Sequence, residues 1–211
     1  MTELSAAIAP LPPIPQESTP DSDPQPQSPS DLQRAHLSGV WAFVLLECLI
    51  FSAYFVIYML YRMHAPQDFS RDQAHLSPTF GLINTLLLLT SSWLVAQAVA
   101  NARAGKFRSA LYTTYATTGL GAVFVGSKLT EWGHEIHHGF TFLSSDFFSF
   151  YFFLTGIHIV HVLVGFIFLT IALVRLRGTE PALAALEAAA VYWHMVDLLW
   201  VIIFALLYVV R

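Results

Sequence analysis

Charge is what this chain has least of. Asp, Glu, Lys and Arg make up 11% of its 211 residues, against roughly a quarter in soluble domains, while 55% are hydrophobic and the mean hydropathy is +0.59. An ordinary soluble domain is thereby excluded, and a membrane protein is expected. The ten Lys and Arg form no cluster, so the basic stripe that tracks nucleic-acid phosphates is missing and no nucleic-acid partner is expected. Cysteine is nearly absent. Cys48 stands alone, which excludes an internal disulfide, a thiolate-ligated cluster and a Cys-pair metal site; a lone Cys in an apolar run behaves as a small hydrophobe. There is no glycine-rich nucleotide loop and no setting for a Ser or Cys nucleophile.

The first 34 residues lack what the rest has. Eight of the eleven prolines lie there with five acids (Glu3, Glu17, Asp21, Asp23, Asp31), and no base precedes Arg34. The basic start and apolar core of a signal peptide are both missing. Residues 1–34 therefore read as a disordered, Pro-rich cytoplasmic tail, and residues 35–211 as a membrane domain.

Long apolar runs are abundant. Five are long enough to cross a bilayer, which takes about 20 helical residues: Leu37 to Met63, Phe80 to Ala100, Ala110 to Leu129, Phe147 to Val174, and Ala188 to Val210. Polar or Gly/Pro-containing breaks separate them, such as Pro66 to Pro78 and Gly178 to Pro181. The expected fold is all-α, an integral membrane bundle of five transmembrane helices. Arg103, Lys106 and Arg108 fill the second loop, and Arg175 and Arg177 follow the fourth run. The positive-inside rule then puts the N-terminus in the cytoplasm and the C-terminus outside, in a bacterial inner membrane.

Ionisable residues inside such runs are expensive and mark helix interfaces or functional paths. Four stand out: Glu47 in the first run, His158 and His161 in the fourth, Asp197 in the fifth. At about 1.5 Å per residue, all four fall near mid-depth of a hydrocarbon core about 30 Å thick, where they are able to meet. His158 and His161 share a helical face, as do His194 and Asp197. Trp193 and Trp200 extend the second pair into one polar and aromatic stripe facing protein or a buried lipid. Thr118, Ala122 and Gly126, at four-residue steps, form a small-residue ridge suited to close helix packing. Asn84, Ser91 and Ser92 have hydroxyl and amide groups to bond across helices. With no Lys or Arg expected within the membrane to neutralise it, the Glu47 carboxyl is expected to hydrogen-bond a neighbour or exchange protons, and Asp197 to brace the bundle.

His134-Glu135-Ile136-His137-His138 matches the H-E-x-x-H pattern, in which two His one turn apart bind zinc and Glu activates water. Gly133 and Gly139 bracket it, and the segment reads as an outward polar loop. His158 and His161 project from one helix and so do not clamp a haem iron from both sides. No catalytic constellation emerges, which points to a subunit of something larger.

Several segments together resemble one family. Tyr192-Trp193-His194-Met195-Val196-Asp197-Leu198-Leu199-Trp200, preceded by Glu187-Ala188-Ala189-Ala190, resembles the last-helix signature of cytochrome c oxidase subunit III. The run from Phe152 to Gly165, with Thr155-Gly156, His158 and His161-Val162, is similar to that family's Phe, Thr-Gly, His, His-Val, Gly helix. Glu131-Trp132 resembles the acidic-aromatic pair ending the preceding helix, and Glu47 in Leu46 to Phe51 resembles the family's carbodiimide-reactive buried glutamate. The run Asn84 to Trp93 and the short loop Arg175 to Pro181 look most like a shortened branch associated with nitric oxide reductases.

The resemblance implies a non-catalytic integral subunit that binds no cofactor itself. Haem, and possibly copper, would sit in a partner: the catalytic subunit of a respiratory oxidase or a nitric oxide reductase. It further implies phospholipid in a cleft between two helix groups, support of proton uptake and turnover stability, and Glu47, Glu131, His158, His161, Glu187, Trp193, His194 and Asp197 lining or bracing the interior. The rival expectations are a transient assembly or stability factor for nitric oxide reductase, and a membrane zinc hydrolase using His134, Glu135 and His138.

Overall fold

In a computed structural model, residues 29–178 and 183–210 are described, with 29–38 described by backbone alone. Among them are six α-helices and a closing π-helical turn, with no strand: α1 (Pro29–His64), α2 (Pro66–Gln73), α3 (Pro78–Arg103), α4 (Phe107–His137), α5 (Asp146–Arg177), α6 (Leu183–Phe204) and the π turn Ala205–Val209. The molecule is an all-α membrane bundle.

The ends of the helices follow local chemistry. Proline opens α1, α2 and α3, where its missing N–H would have no helical partner anyway. Ser145 caps α5, its hydroxyl accepting from the Phe148 amide, as N-cap serines do. Gly139, at φ +89°, ends α4: the Phe140 amide donates back to the Glu135 carbonyl at 3.0 Å, closing a Schellman turn that needs a left-handed residue.

Two sequence expectations shift here. α1 starts at Pro29, so the last six residues of the expected disordered tail are helical; residues 1–28 lie outside those described. Second, α2 occupies part of the segment read as a break. It is amphipathic and seats Phe69 against Tyr58 and Phe147.

Among the described residues, four helical segments are long and apolar enough to cross a membrane: Gly39–His64, Pro78–Arg103, Asp146–Arg177 and Leu183–Val209. The third expected span lies in α4, whose 31 residues suffice in length but whose composition is more polar than that of the other four. The reason is visible in its buried face. Thr114, Thr117, Lys128, Glu131 and Glu135 are all turned inward beside Ala110, Gly121 and Phe124.

α6 is the hub. It packs on α5, α3 and α1, while α3 lies along α4 and α4 touches α5. α1 is the least enclosed, with Leu45, Leu46, Leu49 and Val56 exposed. Close approach is set by two glycines facing one indole. A Cβ on Gly121 of α4 would come within 2.7 Å of the Trp193 ring, and one on Gly165 of α5 within 2.8 Å. The small-residue ridge expected at Thr118, Ala122 and Gly126 is not this packing face: Ala122 and Gly126 are exposed, and nothing lies within 4 Å of a Cβ at Gly126. The face actually used runs about one residue earlier, through Thr117 and Gly121.

Candidate functional site

Three polar groupings sit inside the bundle. The first joins α1 to α5. His161 Nε2 lies 3.1 Å from Glu47 Oε2, and His161 Nδ1 lies 2.7 Å from the Ile157 carbonyl. A carbonyl only accepts, so Nδ1 carries the proton. The Nε2–Oε2 contact is then either imidazolium on carboxylate or neutral imidazole accepting from a carboxylic acid. The two forms differ by the position of one proton. Phe51 packs edge-on to the imidazole at 5.1 Å, and both side chains remain slightly exposed, 12% for His161 and 17% for Glu47.

The second grouping joins α4, α5 and the π turn. Lys128 Nζ donates to Glu131 Oε2 at 2.8 Å, to the Tyr208 hydroxyl and to the Tyr151 hydroxyl at 3.3 Å. Tyr208 in turn donates to Glu131 Oε1 at 2.6 Å. The ammonium also lies over the rings of Tyr151, Trp200 and Tyr208 at 4.7–5.2 Å, where the quadrupole of each ring attracts it. Lys128 is fully buried. A buried ion pair of this kind persists only when further hydrogen bonds satisfy both partners, which the two tyrosines do.

The third is the α3–α6 seam. Trp193 Nε1 donates to Ser91 Oγ at 3.0 Å, and Trp200 Nε1 to Thr85 Oγ1 at 3.1 Å. Ser92 Oγ meets His194 Nδ1 at 2.6 Å. Arg103 bonds Glu187 at 2.8 Å on the half-exposed end. Within the seam and beside it, Asn84, His158 and Asp197 are buried with side-chain polar atoms that form no well-aligned hydrogen bond with the described residues. His158 packs between Phe124 at 5.6 Å and Trp200 at 5.2 Å. Groups buried in this way are commonly satisfied by ordered water.

The four mid-depth residues thus do not form one cluster. Glu47 and His161 bond each other; His158 and Asp197 bond neither them nor each other. The Asp197 carboxyl lies beside the Ser92 hydroxyl of α3, though neither of its oxygens reaches good hydrogen-bond geometry with the described residues. His194 leaves the buried stripe and stands exposed. Glu131 and Trp132 both point inward, the indole donating to Thr155 Oγ1 at 3.1 Å.

Sequence reasoning missed Lys128. It stands in the third run, one helical turn before Glu131, and that i,i+3 spacing of opposite charges was the available signal. The premise that no cation lies within the runs is therefore corrected, although the partner of Glu47 is His161 and not Lys128.

The His134 to His138 segment is corrected as well. Gly133 does not interrupt α4, which continues through His137. A catalytic zinc site takes three protein ligands, and among the described residues no three His, Cys, Asp or Glu side chains converge to hold a metal. The membrane histidines do not suit haem either. Both His161 nitrogens are engaged, and His158 is enclosed by two aromatic rings.

These features define a class: a multi-pass, all-α membrane protein with internal ion pairs and hydrogen-bonded aromatic residues. The sequence comparisons are specific. The family described as cytochrome c oxidase subunit III matches residues 27–210, and the chain belongs to that family. It is 31% identical to quinol oxidase subunit 3 of Bacillus subtilis over 182 residues, 85% of this chain and 89% of the relative. It is 31% identical to cytochrome c oxidase subunit 3 of Corynebacterium diphtheriae over 193 residues, 88% and 94%. To cytochrome bo(3) ubiquinol oxidase subunit 3 of Pseudomonas aeruginosa it is 28% identical over 173 residues, 81% and 82%. A non-catalytic, subunit III-like role follows from this membership.

Proposed function

We propose that this chain is the subunit III of a haem-bearing respiratory oxidase, packing beside a catalytic subunit that carries the haem and copper while holding no redox centre itself. Membership of the family carries this reading. The relatives are named as subunits of quinol or cytochrome c oxidases, and these names favour an oxidase over the nitric oxide reductase suggested by the Asn84 to Trp93 run.

In the proposed arrangement α4 is the fifth crossing. Thr114, Thr117, Lys128, Glu131 and Glu135 face the bundle, where Lys128 and Glu131 neutralise each other, so these groups are no obstacle to immersion. The positive-inside loops then put the N-terminal tail in the cytoplasm and Val210 outside. The Glu47–His161 pair is the proton-exchanging element, because one proton has two places to reside across a single contact. Its position on the least enclosed helix keeps it within reach of bound phospholipid or of the neighbouring subunit.

Affinity purification of the full chain from its native membrane tests the assignment. Stoichiometric recovery with a haem-bearing subunit, seen in the visible spectrum, is expected. A chain that purifies free of haem protein overturns it, and substoichiometric recovery restricted to assembly intermediates identifies an assembly factor instead. Reduction of oxygen or of nitric oxide by the recovered complex decides the acceptor.

A further inference from the structure

The end of the bundle where α4 finishes holds chemistry that the oxidase role does not use. A cavity of about 340 Å³ is lined by His75, Ser77, Phe80, Thr130, Glu131, His134 and Glu135. Glu131 is already committed to Lys128 and Tyr208. Glu135 is buried, with 5% of its surface exposed, and it accepts no side-chain hydrogen bond from the described residues. It sits in a wall that carries two imidazoles.

His134 and His138 lie one helical turn apart, the His138 amide donating to the His134 carbonyl at 3.1 Å. Their ring centroids are 4.4 Å apart, and both side chains are exposed. His64, His161 and His194 each spend a ring nitrogen on a hydrogen bond; these two do not among the described residues. The turn is held firmly. Gly139 closes it, and Phe140 stacks on Phe148 at 4.5 Å and against His75 at 4.6 Å, tying it to α5 and to the cavity rim.

We propose that the last turn of α4 is a binding site for a divalent transition-metal cation of the Zn²⁺ type, chelated by His134 and His138, with Glu135 supplying the negative charge that draws the ion in. Neutral imidazole is the preferred ligand for such ions, and two imidazoles one turn apart on a helix form a recurring zinc-binding pair. Because no three ligating side chains converge here, water completes the coordination shell and the affinity is below that of a four-ligand structural site. The site is a binding site only; no hydrolytic step is assigned to it. It stands independently of the oxidase assignment.

The test is a Zn²⁺ titration of the purified full chain, with any affinity tag removed, in competition with a chromophoric chelator. One Zn²⁺ per chain is expected, weakened by at least about tenfold in His134→Ala and in His138→Ala, and by a smaller factor in Glu135→Gln. His137→Ala, which alters a ring 6.3 Å from that of His138, should leave binding unchanged. Cu²⁺ bound in place of Zn²⁺ should show hyperfine coupling to two nitrogens in its electron spin resonance spectrum. Absence of binding, equal affinity in the His134→Ala/His138→Ala double variant, or dependence on His137 instead overturns the proposal.

Discussion

Two paired carboxylates, Glu47 and Glu131, have opposite surroundings, and their variants should behave differently. Glu47 has one partner and a partly open edge. A hydrophobic carbodiimide should label it, Glu47→Gln should abolish the adduct seen by mass spectrometry, and the helical content should not change. An adduct carried by Glu131 or Glu135 in the unsubstituted chain would deny Glu47 its special reactivity. Glu131 is locked with Lys128 in the interior. Lys128→Met leaves a buried carboxylate without its cation and should cost about 3–5 kcal/mol, read as a lowered unfolding midpoint in detergent. Lys128→Met with Glu131→Gln should recover most of the loss, since replacing both partners of a buried pair is often close to neutral. If the single and double variants unfold alike, the pair contributes no coupling.

At the scale of the element, helix approach depends on where side chains are missing. Trp193 lies between Gly121 and Gly165, and at either position a Cβ would come under 3 Å from its ring. Gly165→Ala should therefore destabilise the bundle by about 1–3 kcal/mol through overpacking. Gly126→Ala, with open space around the added methyl, should be neutral or slightly stabilising, because alanine is the better helix former. Equal thermal stability of the two variants would show that α4, α5 and α6 adjust freely around the indole. The choice between these glycines was not legible in the spacing, because Thr118, Ala122 and Gly126 form as regular a ridge as the residues that pack. A four-residue period identifies a face; it does not say which face meets a neighbour.

At the scale of the whole molecule, the proposed crossing of α4 makes a topological prediction. With Cys48 replaced by Ser, single cysteines at Lys106 and at Leu143 flank α4 on its two sides. If α4 crosses, a membrane-impermeant thiol reagent should reach one of them from outside intact spheroplasts and the other only after permeabilisation. Labelling of both from the same side would leave the bundle with four crossings. If the chain assembles with a catalytic subunit through α1, the exposed apolar face of that helix should lose labelling by lipid-soluble probes when the complex is intact.

The sequence alone determined the solvent of this protein, its helical class and its family. Each rests on information that survives without a third dimension: scarcity of charge, runs of bilayer length, and ordered motifs such as Tyr192 to Trp200. Residues Glu47, His158, His161 and Asp197 were legible as costly, since depth along a helix follows from counting. Which of them meet was not. Glu47 found His161 because α1 and α5 lie side by side. Lys128 found Glu131 within its own helix but gained Tyr151 and Tyr208 from α5 and the π turn. The rotation of α5 and α6 set His158 between Phe124 and Trp200 and Asp197 beside Ser92, with no well-formed hydrogen bond to either among the described residues. Only tertiary structure fixes those rotations, because hydrogen bonds act over about 3 Å and the packing that sets them is decided by where Trp193 and two glycines interlock.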